Sequence, residues 1–217
     1  MSSLFSFVDV SLGYGRDSIL ENINFEMKEG ELFFFLGGNG SGKSTFVKAL
    51  LGLVNPTSGY VNLNFSKENV GYVPQKFSNQ INLPMTVEEF VSLGFNGCSL
   101  LTQKEKEERL DWALECMSLQ GLKHHDCQNL SGGQFQKLLV SRALVRKPRF
   151  LIADEPTDAM DRSSTEVFIA TIFELNQKYG MAIIFITHDY LLIDKYSRNI
   201  VEFKDKKIQV IHRESVS

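Results

Sequence analysis

A run of apolar residues that ends in a glycine-rich loop constrains this chain more than any other feature. The apolar segment covers 32–36, and the loop follows at once as GGNGSGKST over 37–45. A continuous apolar run is typical of a strand covered on both faces of a parallel sheet. The glycines let successive N–H groups turn toward an anion, and a helix predicted from Ser44 to Leu53 adds its positive end. The sequence therefore predicts a phosphate-binding strand, loop and helix.

The spacing G-x-x-x-x-G-K-[ST] in this loop assigns a role to individual side chains. Lys43 is expected to reach the β and γ phosphates of a nucleoside triphosphate, and the Ser44 hydroxyl to bind Mg²⁺. A glycine-rich turn without a ligand is the alternative, and the strand before and helix after the loop argue against it. The predicted nucleotide contacts are Gly37, Gly38, Asn39, Gly40, Ser41, Gly42, Lys43, Ser44 and Thr45.

Length and charge restrict the remaining possibilities. With 217 residues the chain suits one α/β domain with a smaller lobe. The formal net charge is -3 and no basic block occurs, so nucleic acid is not expected as a partner. No apolar run is long enough to span a bilayer, and we expect any membrane contact to pass through a partner.

The three cysteines indicate neither a disulfide framework nor a zinc site. They are Cys98, Cys116 and Cys127, an odd number without C-x-x-C spacing. Disulfides are rare in reducing compartments. We therefore expect a cytosolic protein.

The N-terminal part alternates apolar and polar residues over 4–12 and 22–27, which predicts half-exposed strands of an antiparallel sheet. Residues 13–17 contain two glycines and predict a loop. Tyr14 on that loop could stack on a base. By the residues alone, a strand-end tyrosine without a ligand is the favoured alternative.

The middle of the chain predicts two strands followed by a helical insert. The strands cover 60–63 and 70–73, and Gln75 follows the second. Its amide oxygen could bind a metal or an attacking water, or Gln75 is simply a polar loop residue. Capping boxes beginning at Thr86 and Thr102 predict two helices, the second with an apolar stripe formed by Leu110, Trp112, Ala113, Leu114 and Met117. We expect a separate helical lobe.

A second anion-binding helix end is predicted at the sequence LSGGQ over 130–134. Ser131 and Gln134 form a capping box that opens a helix to about Val145. Exposed N–H groups, the serine hydroxyl and two glycines let a phosphate come close. The predicted contacts are Ser131, Gly132, Gly133 and Gln134.

Two carboxylates follow the buried strand predicted over 150–155. Ligands gather at the carboxyl ends of parallel strands, so Asp154 is expected to hold Mg²⁺ and Glu155 to activate the attacking water. A helix over 163–179 and a buried strand over 181–187 come next, and His188 ends that strand. His188 is either structural or a γ-phosphate sensor. Strands over 199–203 and 207–212 close the chain.

In this order the loop 37–45, Gln75, the segment 130–134, the strand end 152–155 and His188 resemble the ATP-binding cassette (ABC) family, specifically the ATPase subunit of a transporter. The resemblance covers nearly the whole chain. It implies an α/β P-loop NTPase fold, with a mainly parallel RecA-like core, an N-terminal antiparallel β subdomain and a helical subdomain. The chain is then a single domain, 1–217, with a helical and signature insert at about 76–145.

The resemblance also implies roles for residues that the pattern alone leaves open. Tyr14 becomes the adenine-stacking aromatic, and Gln75 binds Mg²⁺ and water and couples them to the membrane partner. Residues 130–134 become the signature motif, His188 becomes catalytic, and Asp161 belongs to the loop that crosses the dimer. The implied cofactors are ATP and Mg²⁺.

The partners implied by the resemblance are a second copy and membrane proteins. Two subunits pair head to tail, and each ATP lies between the phosphate loop of one and the Ser131 helix of the other. Transmembrane permease subunits, and through them a substrate-binding protein, complete the transporter. The expected location is cytoplasmic, on the inner face of the membrane. Hydrolysis would then open the dimer and move the attached subunits.

The chain departs from the usual family pattern at several positions. Gly38 stands where proline is often found, Lys137 where arginine is common, and Asp158 where serine is usual. The cargo is suggested by residues 72–76 and 83–90, which look like those of zinc and manganese importers. Import of iron–siderophore or another small solute, export, a non-transport ABC ATPase and a P-loop kinase are the alternatives. The kinase would not need residues 130–134.

Overall fold

A computed structural model describes residues 2–15, 17–75, 84–96, 100–158, 160–190, 192, 196 and 199–213. The chain divides into two compact units, Met1–Lys67 with Ala182–Ser217, and Glu68–Met181. The elements in chain order are β1 (Ser3–Tyr14), β2 (Asp17–Lys28), β3 (Leu32–Leu36), α1 (Lys43–Leu50), β4 (Ser58–Leu63), β5 (Val70–Val73), α2 (Val87–Ser92), α3 (Gln103–Cys116), α4 (Gly132–Leu144), β6 (Phe150–Asp154), α5 (Arg162–Tyr179), β7 (Ala182–Thr187), β8 (Asn199–Lys204) and β9 (Lys207–His212).

The first unit contains the predicted antiparallel sheet, with the strand order β2-β1-β4. Both predicted strands are longer than their alternating segments, since β1 and β2 pair as far as Tyr14 and Asp17. The loop predicted over 13–17 is therefore wrong in extent, because β1 runs to Tyr14 and β2 begins at Asp17. Arg16 lies outside the described residues. The strands are longer than the segments with alternating side chains because backbone pairing continues beyond those segments.

The same unit holds a mainly parallel arrangement around β3. This strand pairs in parallel with β7 on one side and β8 on the other, and β9 pairs antiparallel with β8. Every residue of β3 and β7 is buried. The prediction of strands covered on both faces is confirmed, and the carboxyl end of β3 leads into the glycine-rich loop.

Phenylalanine side chains hold α1 against the strands of the first unit. Phe46 on α1 stacks on Phe7 with ring centroids 4.3 Å apart, and it meets Phe35 and Phe203 edge-on at 5.3 and 5.7 Å. Such aromatic pairs contribute beyond the area they bury. The helix begins at Lys43 and ends at Leu50, earlier than the predicted Leu53. The rings thus fix the helix whose first turn follows the loop.

The second unit pairs β5 with β6 in parallel, and α4 contacts β5, α2 and α3. The capping boxes predicted at Thr86, Thr102 and Ser131 are all present. The apolar stripe of α3 is buried, but Trp112 is only half-buried. Its ring meets Tyr179 edge-on at 5.4 Å and lies under the Lys147 ammonium, so its placement in the core was wrong.

The predicted helical insert at about 76–145 falls within the second unit, which covers a longer segment, Glu68–Met181. Its first residues, 76–83, lie outside the described part of the chain, as does Cys98. Cys116 and Cys127 are free thiols. Among the described helices, none combines the length and the apolar character that crossing a membrane requires.

Candidate functional site

The glycine-rich loop has the backbone that its sequence predicts. Gly40 and Gly42 have φ angles of 78° and 104°, a region that residues with a Cβ rarely adopt. A Cβ on Gly42 would also lie 2.7 Å from the Leu20 side chain, and one on Gly37 would lie 2.8 Å from the Phe203 carbonyl oxygen. Glycine is therefore favoured at position 42 by conformation and by space, and at position 37 by space alone. Gly38, which departs from the family pattern, has no described atom within 4 Å of such a Cβ.

The side chains of the loop divide into buried and exposed groups. The Lys43 ammonium donates to the carbonyls of Gly37 and Gly38 at 2.6 and 3.0 Å, and its side chain is buried. Thr45 is buried, whereas Asn39 and Ser44 are exposed. The Ser41 hydroxyl is buried without a hydrogen-bond partner in the described part of the chain. Lysine, hydroxyl and N–H donors thus converge at one helix N-terminus, an arrangement that suits phosphate.

The other predicted site residues of the first unit are exposed. Tyr14 ends β1 with 48% of its surface accessible, so its ring can meet a ligand. His188 directly follows β7, outside the strand, and is also exposed. Both positions are compatible with contact to a nucleotide.

In the second unit the two predicted carboxylates lie at the carboxyl end of β6, and Asp154 and Glu155 are only 5% and 4% exposed. The strand stops at Asp154, one residue before the predicted end. Glu155 has a φ of 48°, and left-handed backbone in a non-glycine residue is uncommon and concentrates at functional sites. The backbone leaves the extended conformation of β6 at Glu155, so this side chain does not follow the alternating pattern of the strand.

Each of these carboxylates has a partner from the β5 side. The Gln75 amide nitrogen donates to a carboxylate oxygen of Glu155, which brings together two residues that were singled out independently. The Tyr72 hydroxyl donates to Asp154 Oδ2 at 3.4 Å. Burial, then the nearby charge and the hydrogen bond of Asp154, raise the pKa of Tyr72 to about 12.

Tyr72 is the site residue that the sequence analysis missed. Tyr72 lies in the predicted strand 70–73 and in the segment 72–76, which resembles metal importers, but neither feature assigns it a role at the site. The signal that could have found it is the pairing of β5 with β6, because their register puts Tyr72 opposite Ile152, two residues before Asp154. A single sequence does not reveal that register.

Oxygen ligands suitable for Mg²⁺ are present in both units. Asp154 offers a carboxylate, Gln75 an amide oxygen and Ser44 an exposed hydroxyl. Mg²⁺ prefers hard oxygen ligands of these kinds together with phosphate oxygens and water. Each of these oxygen ligands is therefore of a kind that suits the ion.

The signature segment presents the predicted helix N-terminus. Ser131 Oγ accepts from the Gln134 N–H at 3.3 Å, and the Ser131 N–H donates to Gln134 Oε1 at 2.9 Å. Because a serine hydroxyl both donates and accepts, Oγ keeps a donor for a further acceptor. Beside it lies a pocket of about 320 Å³ lined by Ser131, Gly133, Gln134, Lys137, Met160, Ser163, Ser164 and Val167.

Asp161 has a structural task that the sequence did not reveal. It is the N-cap of α5: Oδ1 accepts from the Ser164 N–H and the Ser163 hydroxyl, and Oδ2 accepts from the Ser164 hydroxyl. These hydrogen bonds hold the pKa of Asp161 well below its usual range. Its predicted part in nucleotide binding stays a prediction, and the neighbouring Ala159 lies outside the described residues.

The sequence is similar to one protein family and to individual known proteins over most of its length. The family model described as "ABC transporter" matches residues 20–158. The zinc uptake system ATP-binding protein ZurA of Listeria monocytogenes is 33% identical over 221 residues, covering 96% of this chain and 85% of that protein.

Solved structures of similar fold agree with the sequence relatives. CbiO1 from Clostridium perfringens, part of the ABC transporter complex cbiONQ, has a TM-score of 0.88 at 27% identity over 98% of this chain and 89% of that chain. A bacterial ABC transporter cassette with a dimeric structure has a TM-score of 0.81 at 26% identity over 97% of this chain and 99% of that one.

Proposed function

Because the chain belongs to the ABC transporter family, we propose that it is the ATP-hydrolysing subunit of a transporter that imports a divalent metal ion, zinc or manganese. One observation carries the ATPase part of this proposal: the backbone and side chains at two glycine-rich helix N-termini, at Lys43 and at Ser131, suit phosphate. A nucleotide-binding enzyme that works alone needs only the first. The relative named for zinc uptake supports the choice of cargo.

The residue roles follow from charge and position. Lys43 and the N–H groups of the loop bind the phosphates, Tyr14 stacks on the adenine, and Asp154 holds Mg²⁺ with Ser44 and Gln75. Glu155 accepts the proton of the attacking water. Its hydrogen bond with Gln75 supports a coupling role for Gln75, since a movement of that residue would alter the base directly. His188 senses the γ phosphate.

The working unit is a homodimer bound to membrane subunits. The dimeric structure of a similar cassette supports pairing of two copies. We propose that they pair head to tail, so that the Ser131 helix of one copy completes the ATP site of the other. A groove of about 960 Å³ in the helical part supports docking of a permease, and its lining includes Glu88 of α2, Leu93 just after α2 and Lys106 of α3. The protein then acts on the cytoplasmic face of the membrane, and the permease subunits contact the substrate-binding protein.

Replacement of the proposed base tests the activity and the cargo together. We expect Glu155→Gln to retain ATP binding and to slow hydrolysis on the order of a hundredfold or more. In cells that depend on this transporter, the same variant should abolish zinc accumulation under zinc limitation. Glu174→Gln, an exposed glutamate of α5, is the control and should behave as the wild type.

The two readouts separate the parts of the proposal. Normal hydrolysis by Glu155→Gln would remove Glu155 from the role of base. Slow hydrolysis with unchanged accumulation of zinc and of manganese would keep the ATPase and reject the metal cargo, leaving iron–siderophore import or export as the alternatives.

A further inference from the structure

Strand register brings a tyrosine to the side of the proposed magnesium ligand. β5 and β6 are parallel, and Tyr72 lies opposite Ile152 while Val73 lies opposite Ala153. Side chains two residues apart on a strand project from the same face. Tyr72, Ile152 and Asp154 therefore share one face of this strand pair, and Tyr72 reaches Asp154 diagonally.

The contact is between polar ends of the two side chains. The Tyr72 hydroxyl lies 3.4 Å from Asp154 Oδ2. Asp154 is 5% exposed, whereas Tyr72 is 36% exposed. A buried carboxylate rotates less freely when a donor fixes one of its oxygens, and carboxylates that bind metals are commonly oriented in this way by a second group. A tyrosine that served packing alone would not need its hydroxyl at this position.

We propose that Tyr72 is a positioning residue for the ATPase, which orients the Asp154 carboxylate and thereby raises the affinity of the nucleotide site for Mg²⁺. The inference rests on the proposed function, because it takes Asp154 as a ligand of the ion. Tyr72 itself touches neither nucleotide nor metal in this role. It acts through Asp154 alone.

Removal of the single hydroxyl tests this role. The full chain and its Tyr72→Phe variant are titrated with a non-hydrolysable fluorescent ATP analogue, with EDTA and at increasing MgCl₂. We expect the affinity without magnesium to be unchanged, and the MgCl₂ concentration for half-maximal enhancement to rise roughly tenfold, the lower limit of what partners of metal ligands typically contribute. Tyr60→Phe, an exposed tyrosine of β4, is the matched control.

A purely structural role for Tyr72 predicts a different result. It would lower thermal stability or weaken binding equally with EDTA and with MgCl₂, and either result without a shift in the magnesium requirement overturns the proposal. Tighter magnesium binding in Tyr72→Phe overturns it as well, because the hydroxyl would then compete with the ion for Asp154.

A second variant tests whether the effect passes through Asp154. In an Asp154→Asn background, Tyr72→Phe should cause no further change in magnesium enhancement, since residues that act as one unit are not additive. An additional loss of similar size there would contradict the proposed route.

The wild-type titration separates this inference from the proposed function. If magnesium does not enhance nucleotide binding by the wild type, the assignment of the site fails and the role of Tyr72 fails with it. If the wild type responds to magnesium and Tyr72→Phe responds identically, only the role of Tyr72 is rejected.

Discussion

At the scale of one residue, we propose that phosphate binding depends on the charge of Lys43. Its buried ammonium donates hydrogen bonds to the carbonyls of Gly37 and Gly38. A positive charge therefore lies close to the N–H groups of the loop. Hydrogen bonds that involve a charged group are worth more than neutral ones. The affinity for ATP should therefore depend strongly on this side chain.

We expect Lys43→Ala to weaken ATP binding roughly ten- to hundredfold, because a charged hydrogen bond contributes about 1.5–3 kcal/mol. Lys48→Ala, an exposed lysine in the last turn of the same helix, should bind ATP normally. Calorimetric titration gives both affinities. Equal affinities of the two variants would mean that Lys43 does not bind the phosphates, and a thermal unfolding curve excludes loss of folding as the cause.

At the scale of one element, the start of α5 depends on the charge of Asp161. Because its pKa is lowered in the folded chain, the cap stabilises the fold fully above the ordinary carboxyl pKa of about 4. That contribution is lost as the pH falls below this value toward the lowered pKa. Stability should therefore fall with acidity partly through this residue.

Asp161→Asn keeps a side-chain acceptor and removes the charge, which isolates this effect. The difference in urea midpoint between wild type and variant should be largest at neutral pH and should shrink as the pH is lowered below about 4. Urea unfolding followed by circular dichroism at several pH values measures it. A difference that stays constant over this range would show that the charge of Asp161 does not contribute to capping.

At the scale of the whole molecule, the two helix ends that we propose to bind phosphate predict how the protein assembles. In the proposed head-to-tail dimer the Ser131 helix of one chain completes the ATP site of the other, so we expect ATP to bring two chains together. The Glu155→Gln protein, with ATP and without magnesium, is suited to test this, because we expect it to hydrolyse ATP slowly and the closed dimer therefore to persist.

We expect Glu155→Gln to change from monomer to dimer only when ATP is added, as measured by light scattering after gel filtration. Adding Ser131→Arg should prevent that change while ATP still binds. Thr102→Arg is the matched control, since it removes a capping box of the same design at the start of α3 and costs about 1 kcal/mol in the same way. Normal dimerisation of the Ser131→Arg protein would reject the shared site.

The sequence was sufficient wherever neighbouring residues determine the structure. The buried strand β3, the phosphate loop and the capping boxes at Thr86, Thr102 and Ser131 were all predicted, because each depends on hydrophobic pattern or on hydrogen bonds within four residues. These same local features carry the motifs of the family. The family and its ATPase activity could therefore be inferred from the sequence.

Tertiary structure decided the features that depend on residues distant in the chain. The partners of the two carboxylates are set by the register of β5 against β6, which pairs positions about 80 residues apart. The ends of the N-terminal hairpin follow from backbone pairing, and the position of Trp112 follows from contacts with Lys147 and Tyr179. Periodicity says which face of an element is apolar but not which element covers it. The pairing of strands and helices supplied that information.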